Sequence, residues 1–167
     1  PHGWLDPVNA QAWLDAIATS LAELDPDNAD IYRHNAEEAR GELDDLIDEL
    51  ETRLQQAQGT RFIVFHDAYQ YFEKRYNLHP IGVVTLSPEH SPGMQRLQTL
   101  RTQMLGSGES CVFTEPQFSP KLLRVVSSGL EVKHGVLDPV GVELSAGPDL
   151  YFTLLNNLSK SLQECLH

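Results

Sequence analysis

Apolar residues fall into two regimes along the chain, and the change comes at Gly59. Before it the spacing is helical. Leu14, Ile17, Ala18, Leu21 and Leu24 follow Asp6-Pro7, a capping residue with proline in the first turn, and predict an amphipathic helix ending near Leu24. Asp25-Pro26 repeats the start signal, and Leu43, Leu46, Ile47, Leu50 and Leu54 form a stripe through a segment crowded with Asp and Glu. One very long helix follows from this, about 45 Å if roughly 30 residues rise 1.5 Å each. The stripe fades toward the start of the helix, which suits a strut between lobes as well as a coiled coil.

After Gly59 short apolar runs alternate with helical stretches: 62–65 then 67–76, 81–86 then 91–105, 111–114 then 119–128, 132–137 then 149–166. The alternation predicts an α/β lobe with a mostly parallel four-stranded sheet flanked by helices, preceded by the long helix. Ser91-Pro92 and Ser119-Pro120 mark two of the helix starts, each a capping residue before proline.

Charge narrows the partners. The 167 residues carry 12 Lys+Arg against 24 Asp+Glu, a net charge of -12, so the long-range field repels phosphates and nucleic acid is not expected as a partner. No apolar run approaches the roughly 20 residues that span a bilayer, and no basic segment followed by an apolar one opens the chain. Pro1 leads straight into a loop-to-helix entry, His2 to Pro7, so an upstream portion is expected to be missing. Two cysteines, Cys111 and Cys165, form no CxxC or Cys/His cluster; they are either unrelated buried thiols or one disulfide.

In an open α/β sheet, ligands bind beyond the carboxyl ends of the strands. That rule selects His66 after 62–65, Glu115 after 111–114 and Asp138 after 132–137. One imidazole with carboxylates suits zinc or manganese, and a neutral imidazole needs a partner to fix its tautomer. Asp138 before Pro139 is equally a candidate for an Asx turn, and Glu115 for a helix cap. No HExxH, GxSxG, Walker-type loop or GxGxxG is present, so the chain is read as not an enzyme. His34 with Glu37 and Glu38 reads as a solvated charged face, and His79, His90, His134 and His167 as surface or loop residues. Tyr69, Tyr71, Phe72 and Tyr76 read as packing against the sheet.

Four blocks taken in order, His2-Gly3-Trp4-Leu5-Asp6-Pro7, Phe65-His66-Asp67-Ala68-Tyr69, Phe113-Thr114-Glu115-Pro116-Gln117-Phe118 and Leu137-Asp138-Pro139-Val140-Gly141, resemble the zinc-binding periplasmic proteins of ABC importers. The His66 block tilts the resemblance toward zinc rather than manganese members. It implies two α/β lobes joined by a rigid helix over 27–57, with metal between them. In that frame residues 1–25 are a remnant of the first lobe, 26–58 the linking helix and 59–167 the C-terminal metal-binding lobe. His2 resembles the family's second ligating histidine and His66 its third. Asp138 stands where manganese relatives supply a carboxylate, a residue often near the metal without a firm bond in zinc relatives. Glu115 is implied behind the ligands or lining the cleft, and Cys111 with Cys165 resembles the family's disulfide pair. The implied function is zinc capture in the periplasm for a membrane permease, with Mn2+ the less favoured cargo. A surface adhesin or interaction module is the alternative. The family's first lobe, with its own histidine ligand, has no counterpart in these residues, and a lone fragment is expected to self-associate through Leu14, Ile17 and Leu21.

Overall fold

A computed structural model describes residues 2–86, 92–105 and 110–166. Helix α1 (Pro7–Leu24) begins where Asp6 Oδ1 accepts from the Val8 N–H at 3.1 Å, with Pro7 filling a position whose N–H has no helical partner. A short 3-10 turn, Pro26–Asn28, separates it from α2 (Ala29–Leu54), and a second, Gln55–Ala57, ends the helical pair. The continuous helix expected from Asp25-Pro26 to Gly59 is therefore a 26-residue helix between two tighter turns. Asp25 is the reason at the front: its Oδ2 accepts from Asn28 Nδ2 and Tyr32 Oη, both at 2.8 Å, holding the turn outside α-helical geometry.

The two helices run antiparallel, with Gln11 Nε2 donating to Asp44 Oδ1 at 2.7 Å and Arg40 bonded to Asp15. Leu43, Leu46, Leu50 and Leu54 of α2 are buried, while its first half buries nothing, as the fading stripe predicts. Ile17 and Leu21 of α1 are exposed, whereas Leu14, expected on the same uncovered stripe, is partly buried against the core.

The α/β body holds four parallel strands, β1 (Arg61–His66), β2 (Gly82–Thr85), β3 (Ser110–Thr114) and β4 (Lys133–Val136), in the order β2-β1-β3-β4. Alternation along β1 feeds two cores. Phe62 and Val64 pack with α2, with α3 (Gln70–Arg75) and with α6 (Leu150–Leu166), whereas Ile63 and Phe65 pack with α4 (Met94–Leu105) and α5 (Lys121–Ser127). Burial on both faces explains the apolar runs of the central strands β1 and β3, whereas the edge strand β4 is mostly exposed. Cys111 of β3 and Cys165 of α6 form a disulfide with Cα atoms 5.9 Å apart, tying the central sheet to its covering helix.

Two further helix starts differ from expectation. Helix α3 begins at Gln70 rather than 67, because the Ala68 N–H donates to the His66 carbonyl at 2.9 Å in a tight turn. Helix α5 begins at Lys121 with Pro120 in the capping position and no side-chain cap, so Ser119 does not play that part. The start at Ser91, and the readings of His90 and His167, lie outside the described residues. His34 is exposed beside Glu38 at 3.4 Å, and His79 and His134 are exposed, matching their reading as surface residues. No described helix is long and apolar enough to cross a membrane.

Candidate metal centre

The chain passes from β1 to β2 on one side and returns to place β3 on the other, so the strand order reverses between β1 and β3. At such a point the carboxyl ends of neighbouring strands diverge and leave room for a ligand. His66 ends β1 there. Val64 pairs with Phe113 in the parallel ladder, so Glu115 stands level with His66 on the adjacent strand path. His66 Nδ1 and Glu115 Oε1 are 2.6 Å apart, and both side chains are buried. A carboxylate accepts, so in the neutral ring this contact puts the proton on Nδ1 and leaves Nε2 with the lone pair a metal would use. The Glu115 side chain meets His66, and the helix that follows it, α5, has no side-chain cap.

His2 lies beside His66. Their ring centres are 5.3 Å apart at an interplanar angle of 66°. Burial, followed by the nearby His66 imidazole, lowers the His2 pKa, which favours the neutral form that metals bind. His2 Nδ1 and Glu115 Oε2 are buried with no hydrogen-bond partner among the described residues.

Two aromatic residues flank His66: Tyr69 and Phe118 stand 6.4 and 6.3 Å from its ring, and Phe118 stacks on Phe65 at 4.9 Å. The Tyr69 hydroxyl donates to the Leu137 carbonyl at 3.1 Å, and its pKa is raised, first by burial and then by the charge of Glu115. Tyr69 was expected only to pack; its hydroxyl also joins the end of β1 to the end of β4.

Asp138 follows β4 and serves its own loop. Its Oδ1 accepts from Val140 N at 3.1 Å, Gly141 N at 2.9 Å and Gln117 Nε2 at 3.0 Å, and its Oδ2 from Val142 N at 2.6 Å. Gly141, at φ +72°, makes the turn that lets these N–H groups converge. The Asx-turn reading of Asp138 describes this arrangement. Among the described residues no group of three or more His, Cys, Asp or Glu gathers closely enough to hold a metal ion.

The sequence reading missed what holds His2 in place. Trp4 Nε1 donates to the Pro139 carbonyl at 2.9 Å, Tyr151 Oη donates to the Trp4 carbonyl at 2.6 Å, and Arg75 makes a two-point contact with Asp6 at 2.9 Å for each bond. All are long-range, and the only sequence signal was a cluster of aromatic and charged residues around a proline turn.

Comparison with known proteins gives this geometry a context. The family profile described as "ZnuA: Zinc-uptake complex component A periplasmic" matches residues 1–165. The High-affinity zinc uptake system protein ZnuA of Brucella abortus is 46% identical over 165 residues, covering 99% of this chain and 49% of that protein. The chain thus spans about half the length of the curated relatives it matches. A crystal structure of ZnuA superposes with a TM-score of 0.87 at 30% identity, covering 100% of this chain and 60% of the other. A laminin binding protein of Streptococcus agalactiae, described as bifunctional with adhesin and metal transporting activity, gives 0.87 at 27% identity and covers 100% and 65%. With the family profile matched over residues 1–165 and a relative 46% identical over 99% of its length, this chain belongs to the ZnuA family.

Proposed function

We propose that the chain is part of a periplasmic receptor that captures Zn2+ and delivers it to a membrane importer without chemical turnover. The observation that carries this reading is the oriented imidazole pair. A zinc about 2.05 Å from a ring nitrogen stands about 3.2 Å from the ring centre, so two imidazoles on one tetrahedral zinc have centres about 5.2 Å apart. The centres of His2 and His66 are 5.3 Å apart. Imidazole ligands favour zinc over the harder Mn2+, whose sites are richer in carboxylate and water. The disulfide fits an oxidising compartment such as the periplasm.

In this reading His2 and His66 are ligands, Glu115 orients His66, and Asp138 brings charge, with one acceptor site left on Oδ2 for the metal. The remaining ligands come from outside the described residues, across the helix α2 that links the two lobes. The exposed face of α1 at Ile17 and Leu21 is covered by the other lobe in the complete receptor, and by a second copy when that lobe is absent.

Titrating the complete protein with Zn2+ against a competing chelator tests the assignment. His66→Ala should weaken zinc binding by more than about a hundredfold, beyond the loss of a group that only orients a ligand. A titration unchanged by the substitution would overturn it.

A further inference from the structure

Residues 2–6 carry a proposed ligand but belong to no sheet and no long helix. Their local order is one 3-10 turn, closed by Leu5 N–H to the His2 carbonyl at 3.1 Å and Asp6 N–H to the Gly3 carbonyl at 3.3 Å. Such a turn fixes His2 relative to Asp6 but nothing relative to His66. The element that relates them is α3, which follows the His66 strand and carries Arg75 in its last turn. Arg75 Nε meets Asp6 Oδ1 and Nη2 meets Asp6 Oδ2, each at 2.9 Å, the two-point geometry a guanidinium makes with a carboxylate. The Asp6 side chain is 11% exposed and that of Arg75 36%. Asp6 Oδ1 also caps α1.

We propose that the Asp6–Arg75 pair is a latch that positions His2 for metal binding, completing a circuit from His2 through the turn to Asp6, across to Arg75, and back along α3 to His66. The inference rests on the metal reading given above. Asp6 and Arg75 are positioning residues and touch no metal themselves. Trp4 supplies the second hold: its indole donates to the Pro139 carbonyl, its carbonyl accepts from Tyr151, and its ring lies edge-on to His2 at 5.0 Å. With Leu5 fully buried between these anchors, the backbone that carries the His2 imidazole is held from both sides of the sheet's ligand edge. A planar fork that grips both oxygens fixes direction as well as distance, which a single ammonium contact does not.

The experiment uses the complete protein and two probes, Zn2+ against a competing chelator and Co2+ by its visible absorption. Asp6→Asn keeps a good helix cap but offers the guanidinium one oxygen instead of two; Arg75→Met removes the fork and keeps the aliphatic stem. Each should lower zinc affinity about tenfold, the range for groups that orient a ligand. Arg75→Lys should recover part of the loss, and the double variant should be no worse than the single ones, because both remove one interaction. The strong visible band of four-coordinate Co2+ should weaken in each single variant, a change that loss of stability alone does not produce. Lower melting temperatures with unchanged zinc affinity and Co2+ spectrum in both single variants would overturn the latch while leaving the metal site standing. A His66→Ala protein that titrates like the unaltered one would remove the metal reading, and the latch with it. Should Arg75→Met fail to fold, Asp6→Asn decides alone.

Discussion

The two histidines are held by different physics. His66 closes a strand that is hydrogen-bonded to a neighbour on each side, and its free tautomer is fixed by a buried carboxylate one strand away. His2 sits on a single turn of 3-10 helix, tied to the body by side chains whose partners lie 69, 135 and 147 positions along the chain. Backbone ladders are made by every residue of a strand and survive most substitutions, whereas each side-chain tie depends on one residue pair. One proposed ligand is therefore a property of the topology and the other of a few specific contacts.

The largest test acts on the His66 side through the disulfide. A bridge closing 54 positions stabilises the fold by about 4 kcal/mol in the chain-entropy estimate. Reduction should lower the melting temperature of the body substantially yet leave zinc affinity in the surviving folded protein nearly unchanged, since the ladders on both sides of β1 remain. Two alkylatable thiols in protein purified in air and never reduced would contradict the bond itself.

Next in size is Glu115→Gln. The substitution keeps the shape but replaces a charge-assisted acceptor by an amide, so zinc affinity should fall about tenfold with little change in melting temperature. Isothermal titration measures it, and an unaltered affinity would mean that the strand alone orients His66.

The smallest effect concerns Glu73 on α3, the helix between the two histidine regions. Burial, and then the charge of Asp67, push its pKa up to about 7 from an ordinary 4.5. Between those values the folded protein binds more protons than the unfolded chain, so stability falls as pH rises from about 4.5 through about 7. Glu73→Gln should flatten that part of the profile of melting temperature against pH. A profile with the same slope in both proteins would show that Glu73 titrates normally.

Much of the α/β body was legible because its signals are local and redundant. Four apolar runs, each ending in a polar residue, place His66, Glu115 and Asp138 at one edge of a parallel sheet before any contact is known. The Asx turn at Asp138 was visible as one of its two readings, and its carboxylate accepts from the N–H groups of the loop. The disulfide came from family resemblance, since two cysteines in isolation do not reveal their pairing. Helix lengths were overestimated where a side chain or a turn competes with the helix, as Asp25 does before α2 and the His66 carbonyl does before α3. The tie between Asp6 and Arg75 left no local trace. A basic residue in the last turn of a helix and a capping aspartate are each fully explained by their own helix, so nothing marks them as partners.

Alternation along β1 also makes that strand a ruler that counts in twos. His66 shares the face of Phe62 and Val64, while Ile63 and Phe65 belong to the other core. One residue inserted between Phe62 and Phe65 would seat Phe65 opposite Glu115, and one deleted would seat Asp67 there, putting a ring without lone pairs or a second anion where an imidazole is needed. Length variation among natural versions of this chain is therefore expected to collect in the loops and to spare the interval from 61 to 66. In 2–6, where side-chain ties and not a ladder set the position, the identities of residues 4 and 6 are expected to be the quantity held fixed.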